Sequence, residues 1–372
     1  MRILVAGGYA NSLLNFRGEL LKGLIGAGLE VHATAPNAPE GVVRELEQMG
    51  VRFHSVDMAR TGTSPAQDLK YLYNMARLMA RIKPTIYLGY TIKPVVFGSI
   101  AAWLMRVPRR YSLITGLGYL FSSDTLKARL YRTLAKLLYR LSLNTNSAVI
   151  CQNRDDLSYL KEKGLVSKTI RCEIVNGSGV NIHQYLPEPL PDDPAFIFVG
   201  RLVKEKGIYE FLEAAWHLGK RYPAASFYVA GGRDDNPSSL SPDEIAALKR
   251  DEHVAYLGDV SDIRHALAMA SVLVLPSYRE GLPRSVLEAM SMGRAIITTK
   301  APGCRDTIEN GKSGVLVEPR SVEQLIAAME RFIKEPPLAK RMGGEARRLA
   351  EDKYDVSRVN REMLTIMSVV TS

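Results

Sequence analysis

Residues 271–299 read SVLVLPSYREGLPRSVLEAMSMGRAIITT, and this stretch decides the fold. Two apolar runs of strand length, at its start and its end, enclose a turn and a segment of helix length. Short buried strands that alternate with helices are typical of parallel sheets covered on both faces. Glu280 lies in the turn, and Glu288 lies in the predicted helix. Because open α/β sheets bind ligands at the carboxyl ends of their strands, the stretch also predicts a binding site.

The same alternation of strand and helix runs through both halves of the chain. Strands are predicted at RILVAGG, LEVHATAP, RFHSV, TIYLG, RRYSLI and AVICQ, and then at AFIFVGRL, SFYVAGG, VAYLGD, SVLVLPS and RAIITT. Helices are predicted between them, including residues 66–82 and 126–143. A proline-rich, acidic segment that begins at residue 186 predicts a linker. We therefore expect an α/β protein of two doubly wound, Rossmann-like domains, residues 1–186 and 187–355, facing each other across a cleft.

The composition is that of a globular protein, with 46% hydrophobic and 24% charged residues among 372. Three cysteines without a paired framework favour a reduced, cytoplasmic setting. The first residues lack the pattern of a signal peptide, because they become glycine-rich after a few apolar positions. No apolar run reaches the roughly 18–20 residues that a membrane-spanning helix needs. We therefore expect a protein that does not span a membrane.

The excess of positive over negative charge lies entirely in the first half of the chain. Residues 1–185 carry 24 Lys and Arg against 12 Asp and Glu, whereas the net charge of the whole chain is +10. Such a field attracts anions, and both nucleic acid and an anionic membrane are candidates. Because the chain shows no recognised nucleic-acid-binding module and no interleaving of aromatic and basic residues, we expect no nucleic-acid partner.

The charges around the two glutamates fit a nucleotide-sugar. The helix start that follows Gly281 favours an anion, whereas carboxylates accept hydrogen bonds from paired hydroxyls. Arg201 directly follows the strand AFIFVG, and Lys206 precedes a glycine that opens a helix. Two cations at a strand end could neutralise a diphosphate leaving group. The alternative interpretation is that Glu288 only complements the helix dipole and that the cations only face water.

The sequence offers no pattern for a metal or a dinucleotide cofactor. It contains no Asp-x-Asp, and its six histidines have no ligand spacing. The adjacent Gly7 and Gly8 depart from the Gly-x-Gly-x-x-Gly order of dinucleotide-binding enzymes. We therefore expect no metal and no bound cofactor.

Three segments resemble the retaining glycosyltransferases of family four, which have the GT-B fold. They are VGRLVKEKG (199–207), YLGDVSDIRHALAMASVLVLPSYREGLPRSVLEAMSMGRAIITT (256–299) and GCRDTIENGKSGVLV (303–317). The Arg/Lys pair, the Glu-x7-Glu spacing and the linker stand in the family's order. The resemblance covers nearly the whole chain. It implies sugar transfer from a nucleotide-sugar with retention and without a metal, and a C-terminal helix, residues 356–372, that crosses back to the first domain.

The resemblance also implies residue roles. Glu288 would bind the ribose hydroxyls and Glu280 the hydroxyls of the donor sugar. Arg201 and Lys206 would hold the diphosphate, and these two cations with Glu280 are the predicted catalytic residues. The remaining predicted donor-binding residues are Gly8, Gly200, Gly258, Gly281 and Leu282.

GGRDDNPSS, ITGLGYLF and LLNFRGELLKGL resemble a narrower group within the family. These bacterial enzymes add a sugar, often N-acetylgalactosamine, to a saccharide on undecaprenyl diphosphate. The resemblance favours a UDP-sugar donor, and the predicted acceptor residues are Asn15, Arg17, Thr115 and Gly116. The alternatives are a lipopolysaccharide-core or soluble acceptor, or a nucleotide-sugar epimerase of the same fold. Epimerases of that type use a different constellation of carboxylate and histidine, which the sequence lacks.

Residues 125–143 predict a basic amphipathic helix, TLKARLYRTLAKLLYRLSL. Its leucines recur at helical spacing, and basic residues fill much of the remainder: Lys127, Arg129, Arg132, Lys136 and Arg140. Helices of this type lie on anionic membranes. The alternative is that the leucines pack into the N-terminal sheet and the cations face water. Because the suspected acceptor is a lipid, we expect a peripheral enzyme on the cytoplasmic face of the plasma membrane.

Overall fold

A computed structural model describes residues 1–58, 64–117, 126–234 and 238–370, with the backbone alone for residues 126–134. The chain divides into two compact units, one formed by Met1–Ser178 with Ser357–Ser372 and the other by Gly179–Val356. Residues 179–186, predicted as the end of the first domain, group with the second unit. The reason is their hydrogen bonding, since Arg347 and Ser291 both donate to the carbonyl of Tyr185, at 2.9 and 2.7 Å.

Over its described residues, the first unit holds a seven-stranded parallel sheet of order β3-β2-β1-β4-β5-β6-β7. In the centre of this sheet Ile3 lies opposite Val31 of β2 and Ile86 of β4. The strands are β1 (Arg2–Ala6), β2 (Glu30–Ala35), β3 (Arg52–Ser55), β4 (Ile86–Tyr90), β5 (Arg109–Ile114), β6 (Ala148–Cys151) and β7 (Arg171–Ile174).

Helices cover both faces of this sheet. Ile3 shares an apolar cluster with Leu24 and Met363, whereas the next residue, Leu4, shares one with Met75 on the opposite face. The helices α4, α5 and α6 therefore form one layer, and α1, α2 and α14 pack on the other side. Their bounds are α1 (Asn11–Asn15), α2 (Gly18–Gly26), α3 (Glu40–Gln48), α4 (Pro65–Ile82), α5 (Ser99–Leu104, after a π-helical turn Pro94–Gly98), α6 (Leu126–Leu143), α7 (Arg154–Glu162) and α14 (Val356–Ile366).

Among its described residues the second unit holds a six-stranded parallel sheet of order β10-β9-β8-β11-β12-β13. The strands are β8 (Ala195–Val199), β9 (Ser226–Ala230), β10 (Val254–Gly258), β11 (Val272–Leu275), β12 (Ala295–Thr299) and β13 (Gly314–Val317). The helices are α8 (Ile208–Arg221), α9 (Pro242–Leu248), α10 (Ile263–Ala268), α11 (Arg284–Ser291), α12 (Val322–Lys334) and α13 (Pro337–Leu349), with short turns of helix at Lys204–Lys206 and Ala350–Tyr354. One apolar cluster on both faces of this sheet forms the core.

The predicted fold class, α/β with two Rossmann-like domains, is confirmed for each unit. Two edge strands of four residues each, β7 and β13, are absent from the predicted strands. The first predicted helix is two helices, α1 and α2, separated at Phe16 and Arg17.

Candidate functional site

In the second unit, the turn after β11 holds Glu280 against Lys206. The Lys206 Nζ and Glu280 Oε1 atoms are 2.5 Å apart, and 19% and 14% of the two side chains are exposed. Ser277 Oγ donates to the same carboxylate oxygen at 2.8 Å. Lys206 follows β8, which is the neighbour of β11 in the sheet. Two predicted site residues are thus brought together as a half-buried ion pair.

Two glycines make room for this turn. A Cβ atom at Gly207, which has φ of 76°, would lie 2.3 Å from the carbonyl oxygen of Pro276. A Cβ atom at Gly303, with φ of 77°, would lie 2.3 Å from the carbonyl oxygen of Glu280. Because both obstacles are backbone atoms and both φ angles are left-handed, any other residue would displace the turn.

Glu288 lies in the second turn of α11 and is 8% exposed. Tyr185 Oη donates to its Oε1 atom at 2.9 Å, and Arg284 Nε donates to the same atom at 2.7 Å. The pKa of Glu288 is raised above its ordinary value. Burial is the main cause, and the contacts with Arg284 and Tyr185 oppose it. The carboxylate is thus buried and satisfied by two donors, and its role in binding the ribose stays a prediction beside the structural alternative.

Arg201 lies two residues after the end of β8 and is paired with a carboxylate for which the sequence predicted no role. Its Nη1 atom lies 2.5 Å from Asp234 Oδ2, and 57% of the Arg201 side chain is exposed. The Asp234 side chain is only 13% exposed, and its backbone N–H donates to Ser239 Oγ at 3.0 Å. The carboxylate is thus fixed, and it orients a guanidinium that solvent and ligands can reach.

The other predicted donor residues of this unit lie along the same sheet edge. Gly200 follows β8, and Gly258, with φ of 75°, ends β10. Gly281 and Leu282 lie between the Glu280 turn and Pro283, the N-cap of α11. Apart from Glu288 on α11, the donor residues predicted in the second unit therefore lie at or after the carboxyl ends of β8, β10 and β11.

In the first unit, packing alone accounts for the glycine turn after β1. A Cβ atom at Gly7 would lie 2.3 Å from Tyr90 Oη, and one at Gly8 would lie 2.6 Å from Thr91 Oγ1. Both obstacles come from the end of β4, the neighbouring strand. The donor-binding role of Gly8 stays a prediction.

The four predicted acceptor residues differ in their exposure. Arg17 is 5% exposed, and its guanidinium lies 5.1 Å from the ring centroid of Tyr90. Asn15 is exposed at the end of α1. Thr115 and Gly116 are half-buried and directly follow β5, the strand beside β4. A ligand can reach Asn15, Thr115 and Gly116 more directly than Arg17, and the acceptor roles stay predictions.

Comparison with known families covers both units. Residues 187–349 match the family model described as glycosyl transferases group 1, and residues 15–175 match that of the glycosyl transferase 4-like domain. The chain belongs to the glycosyltransferases. This glycosyltransferase is 27% identical over 352 residues to the N,N'-diacetylbacillosaminyl-diphospho-undecaprenol alpha-1,3-N-acetylgalactosaminyltransferase of Campylobacter jejuni, covering 91% of each chain. It is 26% identical over 296 residues to the UDP-Gal:alpha-D-GlcNAc-diphosphoundecaprenol alpha-1,3-galactosyltransferase of Escherichia coli, covering 76% of this chain and 74% of the relative.

Solved structures share the fold of this glycosyltransferase over its full length. Sucrose-phosphate synthase from Thermosynechococcus elongatus superposes with a TM-score of 0.80 at 18% identity, covering 99% of this chain and 98% of that one. HepE from Anabaena, in complex with UDP and glucose, superposes with a TM-score of 0.79 at 17% identity, covering 100% of each. At this level of identity the likeness establishes the two-domain GT-B fold and nothing finer.

The basic helix α6 of the glycosyltransferase combines buried and exposed apolar residues. Tyr139 and Leu143 pack into the first unit, whereas Leu137 and Leu141 are 52% and 55% exposed. Arg140 is exposed beside them, and Lys136 is partly exposed. The side chains of Lys127, Arg129 and Arg132 lie outside the described residues. No helix in the described part of the chain is long and apolar enough to cross a membrane.

The sequence did not identify the residues whose side chains contact the predicted site residues. Tyr185 is the last residue before the predicted linker. Asp234, Ser277 and Arg284 lie inside segments that carry the family resemblance, but no role was predicted for them. The Glu-x7-Glu spacing could have pointed to Arg284, which lies one helical turn before Glu288. Within the described residues, no group of three or more His, Cys, Asp or Glu side chains could hold a metal ion.

Proposed function

We propose that this glycosyltransferase moves an N-acetylhexosamine such as N-acetylgalactosamine from UDP to a saccharide on undecaprenyl diphosphate, retaining its anomeric configuration. The observation that carries the donor half is a pair of carboxylates that are held differently at one sheet edge. Glu288 is buried and accepts hydrogen bonds from Tyr185 and Arg284. Glu280 forms an ion pair with Lys206. Glu288 therefore suits the uncharged ribose diol, and Glu280 suits a sugar that lies beside a phosphate.

The contacts suggest how the donor binds. Both hydrogen bonds to Glu288 end on Oε1, so Oε2 can accept from the ribose hydroxyls. Glu280 accepts from hydroxyls of the transferred sugar. Lys206, whose Nζ atom lies 2.5 Å from Glu280, also interacts with the diphosphate. The exposed Arg201 supplies a second cation to the diphosphate. The N-terminus of α11 contributes the favourable end of its helix dipole.

The proposed transfer occurs on one face of the donor sugar. The bond between the anomeric carbon and the β-phosphate oxygen breaks, and the acceptor hydroxyl oxygen bonds to the anomeric carbon from the same face. The acceptor proton passes to the departing phosphate oxygen, and UDP leaves. Negative charge grows on the diphosphate, so Arg201 and Lys206 lower the barrier by stabilising it. This route needs no protein nucleophile and no metal.

The names of the relatives support the acceptor more firmly than the sugar. The Campylobacter jejuni relative is named for transfer of N-acetylgalactosamine and the Escherichia coli relative for transfer of galactose, and both names specify a diphospho-undecaprenol acceptor. A membrane-resident acceptor requires the enzyme to reach the lipid surface. We therefore place it on the cytoplasmic face of the plasma membrane, with the exposed Arg140 and Leu141 of α6 toward anionic lipid.

Transfer of label into an organic phase tests the proposal. The purified chain is incubated with radiolabelled UDP-N-acetylhexosamines, other UDP-hexoses and GDP-mannose, each with an undecaprenyl-diphosphate-linked sugar. Label moved from one UDP-N-acetylhexosamine, with an α-linkage by NMR, is the expected result. UDP release without labelled lipid would overturn the lipid acceptor, and a β-linkage would overturn retention. The Glu288→Gln variant should lose transfer, because an amide presents one acceptor oxygen and no charge to the ribose diol.

A further inference from the structure

One part of the first unit is almost free of acidic residues. Residues 69–154 contain 14 Lys and Arg and a single acid, Asp124, which lies outside the described residues. They include nearly all of the layer formed by α4, α5 and α6. Asp68, just before this range, lies 2.7 Å from Lys93, and its side chain is 17% exposed. The described residues of these three helices therefore present positive charge to solvent.

The same helices also present large apolar side chains. Sixteen large apolar side chains are exposed among the described residues, and eight of them belong to residues 69–141. Six lie within the three helices themselves: Leu69 and Tyr73, Trp103 and Leu104, and Leu137 and Leu141. These six residues, together with the exposed Lys70, Arg77, Arg106 and Arg140 of the same part of the chain, are called the apolar–basic face below. Scattered exposed apolar residues are ordinary, but a concentration of them on one layer marks an interaction surface.

The end of α5 is the most apolar part of this face. Trp103, Leu104 and Met105 are consecutive and are 53%, 53% and 38% exposed. Arg106 follows at once, with φ of 56°, so the chain turns sharply after the helix. Tryptophan at a membrane surface places its apolar ring at the level of the headgroups, and arginine meets the phosphates.

We propose that the apolar–basic face is the surface that lies on an anionic lipid bilayer, and that Trp103 and Leu104 enter its headgroup region. The inference rests on the proposed membrane location and adds α4 and α5 to the contact. The positive charge of the apolar–basic face indicates which partner covers it. A second copy in a symmetric dimer would bring like charges together across the interface. A bilayer rich in anionic lipid neutralises the cations and receives the apolar side chains.

The two tryptophans of the chain allow a direct test. Trp216 lies on α8 in the second unit, where its Nε1 atom donates to Asp251 at 2.6 Å. The Trp216→Phe variant therefore reports on Trp103 alone. We expect its emission to shift to the blue and to be quenched by lipids with brominated acyl chains in phosphatidylglycerol vesicles, and neither change in phosphatidylcholine vesicles. The matched Trp103→Phe variant keeps Trp216 as the reporter and should show neither change.

A second measurement uses co-sedimentation with the same vesicles. Replacing Leu104 by Ser should weaken vesicle binding about tenfold, since it removes an apolar side chain that the bilayer would bury. Met269→Ser is the control, because it removes a similar exposed apolar side chain from the second unit and should leave binding unchanged. UDP affinity should be the same in all these variants, because none of the residues belongs to the donor site.

The outcomes separate this inference from the proposed function. Binding to vesicles without a change in Trp103 emission would overturn the inference. Concentration-dependent dimers that Leu104→Ser dissociates would overturn it in favour of a second copy. In either case, transfer of label to the lipid-linked acceptor would leave the proposed function standing. An enzyme whose Trp103 is quenched, but which transfers label from no donor, would retain the membrane surface and lose the proposed reaction.

Discussion

Tyr185 and Glu288 are joined by a hydrogen bond of 2.9 Å, in which the tyrosine hydroxyl donates to Oε1 of the carboxylate. The two residues are far apart in the sequence, and Tyr185 is itself fixed by donors to its carbonyl from Ser291 and Arg347. Burial raises the pKa of Glu288, so a second donor that favours the ionised form matters. We interpret Tyr185 as a positioning residue that orients Glu288 for the ribose of the donor.

Replacing Tyr185 by Phe should weaken UDP binding. A hydrogen bond to a charged group contributes roughly 1.5–3 kcal/mol, so about a tenfold or greater loss of affinity is expected by calorimetry. The KM for the donor should rise with little change in kcat, because the contact exists before and during transfer. Tyr222→Phe is the matched control, since its hydroxyl donates to Glu330 at 2.7 Å elsewhere in the same unit. Equal losses in the two variants would indicate a general effect on stability.

Removing either cation at the end of β8 should slow turnover. Arg201→Ala and Lys206→Ala should each lower kcat by about 10²–10³, at least as much as Glu280→Gln, because the diphosphate gains charge in the transition state. Steady-state kinetics with a saturating donor give the comparison. Lys204→Ala is the control, because Lys204 is exposed in the same short helix and should tolerate the change. Near-normal kcat in both cation variants would remove them from the mechanism.

Chelation of divalent metals should leave transfer unaffected. Positive charge near the departing diphosphate is assigned to Arg201 and Lys206, so the reaction has no step that a metal must supply. Rates with excess EDTA, and after re-addition of Mg²⁺ or Mn²⁺, should agree within error. A loss of activity that Mn²⁺ restores would contradict the proposed electrostatics.

Two histidines in the first unit, His32 and His54, lie side by side with nearly parallel rings whose centroids are 5.2 Å apart. His32 Nδ1 and His54 Nε2 are 2.9 Å apart, and Arg81 Nη2 lies 3.3 Å from His54 Nδ1. Because arginine only donates, the His54 proton is assigned to Nε2, where it points at His32. Burial, with the charges of His32, Arg81 and Arg52, lowers the pKa of His54 to about 4.

This pair predicts acid sensitivity. The unfolded chain binds a proton at His54 near pH 6.5 and the folded chain only near pH 4, so the unfolded state holds more protons between these values. The free energy of unfolding should therefore fall as pH drops through that window. Urea titrations at about pH 7 and about pH 5 measure the fall. His54→Asn should reduce it, whereas His183→Asn, at an exposed position, should not; equal falls in both would contradict the assignment.

The sheet edges were predictable, and the contacts across them were not. Continuous apolar runs identify β8 and β11 because a strand buried on both faces has few alternatives, and this places Arg201 and Glu280 at the same edge. Nothing in the sequence reports which cation meets which carboxylate. Lys206 pairs with Glu280 because β8 and β11 are neighbours, and that order depends on the topology of the whole sheet.

The structural partners of the site also escaped prediction. Tyr185 reaches Glu288 only because the chain before the linker lies against α11, where Ser291 holds it. Asp234 follows β9 and meets Arg201 after β8, again through the order of strands. In the first unit, burial of Arg17 over Tyr90 could not be anticipated, because an arginine in a turn is usually exposed.

The division of the chain also determines an order of folding. Met363 and Met367 are buried in the same apolar cluster as Leu20 and Leu24, so the core of the first unit contains residues made after all of the second unit. During synthesis, the continuous second unit can finish folding while the first unit still lacks part of its core. The N-terminal sheet therefore stays incompletely covered until Met363 and Met367 have left the ribosome.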